Sequence, residues 1–187
     1  MGIRERIIRA CQELSVNRGL SGVTMDEVVA HAGVSKRTVY RYFAGKDDII
    51  AAAVDEFLQT MDQELERLIK ANLSPQEIVS TIMKRLVTDG QFIFGAHNIR
   101  SIQQVYPHIW EKIDSFRTEK FMYLLNVFRE KGEIEILRET DPRIVSAIFL
   151  AVAQTVMTPE FIIKNDLTFE DTVNQVSRIM MAAMGLR

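Results

Sequence analysis

Apolar residues along this chain recur at intervals of three and four instead of alternating, which predicts helices throughout and no confident strand. Ile7, Cys11 and Leu14 share one face of a first helix over about 3–18, ended by Gly19. Thr24, with Glu27 three positions on, is a capping-box pattern that opens a second helix to about His31. Ala32-Gly33-Val34 reads as a tight turn, Ser35 caps a third helix over 36–43, and Ala44-Gly45 stops it before a long helix over about 47–73. Ser74-Pro75-Gln76-Glu77 combines an N-cap, a proline at the first helical position and an acid at the third, and opens a helix to about Asp89. Pro107 divides a segment over about 94–105 from a long helix ending at Lys131-Gly132. Asp141-Pro142 opens a helix carrying Ile144, Ile148, Val152 and Val156, and Thr168 with Asp171 opens the last. The expectation is an all-α chain of about nine helices; 134–137 is too brief to add an element.

Charge changes this picture more than composition does. The overall −2 hides eight Lys/Arg against four Asp/Glu in residues 1–46, net +4, and 15 against 21 in residues 47–187, net −6. A basic end on an acidic body points to a polyanion partner for that end alone. Cys11 is the only cysteine, so neither an internal disulfide nor a cysteine-based zinc site is expected, and a cytoplasmic location fits best. The start, MGIRERIIRACQEL, is broken by charges every few residues and reads as no signal peptide. The longest apolar stretch, Ile144 to Met157, falls short of the roughly 20 residues of a membrane span.

The informative stretch is 24–46, TMDEVVAHAGVSKRTVYRYFAGK: two short helices around a glycine turn, with Val28, Val29, Val34 and Val39 as the apolar contacts between them. The second helix then presents Lys36, Arg37, Thr38, Tyr40 and Arg41, long donors around an aromatic, which is chemistry suited to base edges and phosphates in a major groove. Taken alone, a basic helical hairpin with a purely structural role is the alternative.

The whole stretch from Arg6 to Phe57 resembles the DNA-binding domain of the TetR (tetracycline-repressor-like) family. The matching features are Ala10-Cys11 before Glu13-Leu14, the Arg18-Gly19 helix end, Thr24 before an acidic turn, AGVS at 32–35, and T-x-Y-x-x-F at 38–43 followed by Lys46. The resemblance implies a helix-turn-helix DNA-binding domain over 1–46 and a helical ligand-binding and dimerisation domain over 47–187. It implies that Ser35, Lys36, Arg37, Thr38, Tyr40 and Arg41 belong to the recognition helix, that Tyr40 and Tyr42 hold phosphate, and that Thr24 and Lys46 do the same at helix starts; a helix N-terminus favours an anion on physical grounds too. Two positions depart from the family's pattern. Arg37 stands where glycine is frequent, adding a side chain able to read guanine, and Ser15 stands where an aromatic is common, leaving Val16 or Leu20 to fill that space.

The function expected is a sequence-specific transcriptional regulator, a repressor released from double-stranded operator DNA by a small-molecule effector; the alternative is a helical interaction protein with neither activity. For the body, the apolar stripes Ile148, Val152, Val156 and Val173, Val176, Met180 are assigned to a homodimer interface, helped by small residues at 147, 151 and 153. Phe92, His97, Arg100, Gln104, Trp110, Tyr123, Gln154 and Met157 mix aromatics and polar groups in the manner of a ligand pocket. Three histidines without metal-ligand spacing, no glycine-rich phosphate loop and no nucleophile motif argue against an enzyme, and no metal or cofactor is expected.

Overall fold

The computed structural model describes residues 1–186, with the Arg100 side chain outside the described set. Twelve helices form among these residues: α1 (Ile3–Arg18), α2 (Met25–Ala32), α3 (Lys36–Tyr40), α4 (Lys46–Lys70), α5 (Pro75–Asp89), α6 (Gln91–Phe94), α7 (Ile99–Val105), α8 (Pro107–Lys131), α9 (Glu135–Glu139), α10 (Pro142–Val156), α11 (Pro159–Lys164) and α12 (Phe169–Ala183). The three beyond the expected nine are the short α6, α9 and α11, of four to six residues. Each spans little more than a turn, too few residues for a 3.6-residue period to show in sequence.

Six of the twelve starts, those of α2, α3, α5, α10, α11 and α12, are capped by side chains among the described residues. At α5 the Glu77 N–H donates to Ser74 Oγ at 3.3 Å, while the Ser74 N–H donates to a Glu77 carboxylate oxygen at 2.9 Å. Asp141 accepts from the Arg143 N–H at 2.9 Å to begin α10, and Thr168 accepts from the Asp171 N–H at 3.0 Å to begin α12. Each satisfies a backbone donor that no helical carbonyl reaches.

The chain divides into two compact units. One comprises 1–60 and 89–110, so it takes in the first part of α4 together with α6 and α7 as well as the first three helices. Ile7, Ile8, Leu20, Val28, Val39, Ile49 and Ile50 are its sealed core, and Phe57 meets Phe92 edge to face, ring centres 6.0 Å apart. Helix α1 packs against α2 on one side and α6 on another. Leu20 is fully buried and Val16 stays exposed. Ser15 is itself buried and donates its hydroxyl to the Cys11 carbonyl at 2.6 Å.

A buried amide locks the far segment to α1. Asn98 donates from Nδ2 to the Ser15 carbonyl at 2.9 Å and accepts at Oδ1 from the Leu20 N–H. Leaving such buried backbone groups unpaired costs about 1 to 3 kcal/mol each. The approach is tight enough to require Gly19, whose φ is 77° and where an added Cβ would sit 3.0 Å from the His97 carbonyl oxygen.

The other unit comprises 61–88 and 111–187. Its core gathers Leu65, Leu68, Ile78, Phe128, Ile134, Val145 and Met184, with Phe121 and Phe149 stacked at a tilt, 5.0 Å between ring centres.

Two acids of the first unit are buried in neutral form. Burial pushes the Cys11 thiol up from 9.0 to about 11 against weaker opposing effects of Ser15 and Lys46, and burial with the Asp47 charge pushes Tyr106 up to about 12. Above pH 9 the unfolded chain releases protons that the folded chain retains, so stability is full below that pH and falls as pH rises through it. Thermal melts from pH 8 to 11 are expected to show this fall, and Cys11→Ala and Tyr106→Phe to flatten it; an unchanged slope in both variants would remove these groups as its cause.

Candidate nucleic-acid interface

Helix α2 starts on a completed capping box, Glu27 N–H to Thr24 Oγ1 at 3.3 Å and Thr24 N–H to Glu27 at 2.9 Å. It ends at Gly33, whose φ of 63° and ψ of 40° lie in the left-handed region that glycine enters without strain. Arg6, from α1, closes the corner by donating to the carbonyls of Ala32 at 2.6 Å and Gly33 at 3.2 Å. A cation there also meets the negative end of α2. Ser35 then accepts from the Thr38 N–H at 3.1 Å, and its hydroxyl bonds that of Thr38 at 2.8 Å, starting α3. Val39 is the buried anchor of this helix.

With Val39 turned inward, Lys36, Arg37, Tyr40, Arg41 and Tyr42 are left on the surface. Tyr40 and Tyr42 are 51% and 43% exposed, far more than ring packing in a core would leave. Lys36 pairs with Asp26 at 2.7 Å, which holds its ammonium above its ordinary value, and Lys46 donates to the Ser21 carbonyl at 3.2 Å. The side chains of Arg37 and Arg41 have no hydrogen bond or ion pair among the described residues. The nine residues named for DNA contact thus divide: Thr24, Ser35 and Thr38 build the scaffold, Lys36 and Lys46 are lightly tethered, and Arg37, Tyr40, Arg41 and Tyr42 are free. Arg6 carried no sequence signal of its role, because its partners are 26 and 27 positions away.

The residues named for ligand binding are not brought together. Phe92, His97, Gln104 and Trp110 belong to the first unit, where Phe92 is core and His97 and Gln104 are exposed. In the second unit Tyr123 and Gln154 are exposed, Tyr123 bonding Glu66, and Met157 lines a cavity. The Arg100 side chain lies outside the described residues.

That cavity, about 120 Å³, lies in the second unit among α5, α8, α10 and α12. Its wall is aliphatic and aromatic, including Met83, Phe121, Phe149, Val152, Val173 and Met180, with Arg117 and Ser177 as its polar members among the described residues. Arg117 is not among the residues named from sequence, although it occupies the helical stripe of Phe121, Leu124 and Phe128, a charge on an apolar face.

The stripes assigned to a dimer interface are divided by the same wall. Val173 and Val176 are buried within their own chain, and Val152 and Met180 line the cavity. Val156 is half-buried, and Ile148 alone of the six is exposed. Ile144, Ala147, Ile148 and Ala151 face solvent on α10, as do Ile179, Ala182 and Ala183 on α12. A 3.6-residue period identifies a stripe, but these helices are apolar on more than one side, so the period does not say which side faces inward.

Residues 7–53 match the family model described as bacterial regulatory proteins, tetR family. Over 178 residues the chain is 24% identical to YvaF of Bacillus subtilis strain 168, described as an HTH-type transcriptional regulator, covering 94% of this chain and 92% of that one. A transcriptional regulator of the TerR/AcrR family from Aquifex aeolicus superposes with a TM-score of 0.65 at 20% identity, covering 97% of this chain and 99% of that one. A structure described as the molecular basis for control of antibiotic production by bacterial hormones gives 0.68 at 19% identity, covering 97% and 96%. A free basic-aromatic helix on a turn of this build, with these relatives, defines a helix-turn-helix DNA-binding transcriptional regulator. Over residues 7–53 the chain carries the DNA-binding segment that the tetR-family model describes. No helix among the described residues is long and apolar enough to cross a membrane.

The division between scaffold and free side chains is measurable. Ser35→Ala is expected to lower unfolding stability by about 1 kcal/mol through the lost cap, whereas Arg37→Ala and Arg41→Ala should stay within about 0.5 kcal/mol of the parent. Urea titrations compare them, and a large loss for either arginine would assign it a structural role.

Proposed function

We propose that the protein is a cytoplasmic homodimeric repressor that reads a two-fold operator with α3 and leaves it when a small molecule occupies the cavity of the second unit. The observation that carries this is the pair of exposed, unpartnered arginines, Arg37 and Arg41, beside exposed Tyr40 and Tyr42 on a capped scaffold. Arg37 supplies a bidentate donor for guanine. Thr24 and Lys46, at the starts of α2 and α4, serve phosphate, as do the tyrosines. The dimer forms through the exposed faces of α10 and α12, where Ile144, Ile148 and Ile179 are each more than half exposed and alanines allow close approach of helices. Two α3 helices then enter major grooves about 34 to 36 Å apart. Release requires only that the effector favour the unbound arrangement by about 1 to 3 kcal/mol. Helix α4 begins at Lys46 and contributes residues to both units, which supports it as the connecting element.

Gel shifts on the DNA upstream of the protein's own gene test this reading. Arg37→Ala is expected to weaken the specific site by roughly 1 to 3 kcal/mol and random DNA much less, while Lys46→Ala weakens both and flattens the salt slope by about one unit. Ile148→Asp with Ile179→Asp is expected to give folded monomers in sedimentation and to abolish tight operator binding. Equal losses on both DNAs for Arg37→Ala, or an unchanged dimer in the double variant, would overturn the corresponding assignment.

A further inference from the structure

We propose that the cavity of the second unit takes a monocarboxylate with an apolar body, its carboxylate held by Arg117; this rests on the reading of that cavity as the effector site. A guanidinium within an otherwise apolar wall is expensive to desolvate and needs a full set of acceptors. Arg117 lacks one. Its Nη1 donates to the Met157 carbonyl at 3.2 Å and its Nη2 pairs with Asp114, but its Nε–H is buried with no acceptor among the described residues. Asp114 is the more exposed partner, 37% against 22% for the Arg117 side chain. Burial lowers the arginine's proton affinity against the opposing pull of Asp114, the direction expected of a cation short of acceptors.

The missing partner is therefore a hydrogen-bond acceptor, and a negative one forms the stronger bond to a guanidinium edge. A carboxylate suits the site better than a phosphate. Ser177, the other polar side chain in the wall, already donates its hydroxyl to the Val173 carbonyl, so few donors remain for a third or fourth oxygen. The rest of the wall is methionine, leucine, valine and phenylalanine, which takes a body without polar groups. A volume of about 120 Å³ is somewhat below the roughly 150 Å³ of a cavity that holds benzene, which sets about six or seven carbons as the upper limit of the body.

Isothermal titration of the full-length protein with octanoate, 1-octanol and octylamine tests the assignment. Octanoate is expected to bind at least tenfold more tightly than either of the others, and Arg117→Met to lose tenfold or more for octanoate with octanol changed less than threefold. Equal affinities for octanoate and octanol, tighter binding of the amine, no binding of octanoate, or equal losses of octanoate and octanol in the variant would overturn it. Should Arg117→Met fail to fold, the three-ligand comparison on the unaltered protein decides alone. Operator release is scored separately by gel shift. Tight octanoate binding without release supports the ligand class and overturns the effector reading; release by octanol or octylamine without octanoate binding overturns the class and leaves the effector reading standing.

Discussion

The recognition helix has its place because one buried amide fixes the end of the first helix. Asn98 satisfies the Ser15 carbonyl and the Leu20 N–H together, and so ties α1 to a segment about 80 residues further along the chain. From α1 the constraint passes to Arg6, which holds the carbonyls at the end of α2, and from that corner to Ser35, where α3 begins. Each step is a hydrogen bond between a side chain and the backbone. A side chain at position 19 would push on the His97 carbonyl and disturb the whole series from its start.

Local rules made much of this fold legible. Capping residues announce their partners two or three positions away, which is why Thr24, Ser35, Ser74, Asp141 and Thr168 could be placed from sequence and stand at helix starts in the structure. The helix-turn-helix carries its chemistry in one uninterrupted stretch, so its exposed donors could be named. Asn98 could not be found this way. It is a polar residue in a segment of mixed character, and only the return of the chain onto α1 gives it partners.

The second unit shows the opposite limit. Helices α10 and α12 are apolar on several sides at once, one facing the core, one the cavity and one solvent, and hydrophobicity looks the same from all three. Val173 and Val176 were therefore credited to an interface when they close their own chain's interior. Aromatic and polar side chains near 92–123 looked pocket-like for a similar reason: composition carries no information about which unit a residue joins. Arg117 was the better clue because a charge on an apolar stripe has few ways of being tolerated.

The separation of supporting from reading residues in the first unit bears on descent. Thr24, Arg6, Gly33 and Ser35 hold the turn without help from Arg37 or Arg41, whose side chains bond to nothing else in the chain among the described residues. Substitutions on that outward face change what the protein recognises without charging the fold for the change. After gene duplication, one copy can wander to a new target sequence through a series of fully folded forms, while the supporting residues stay under selection.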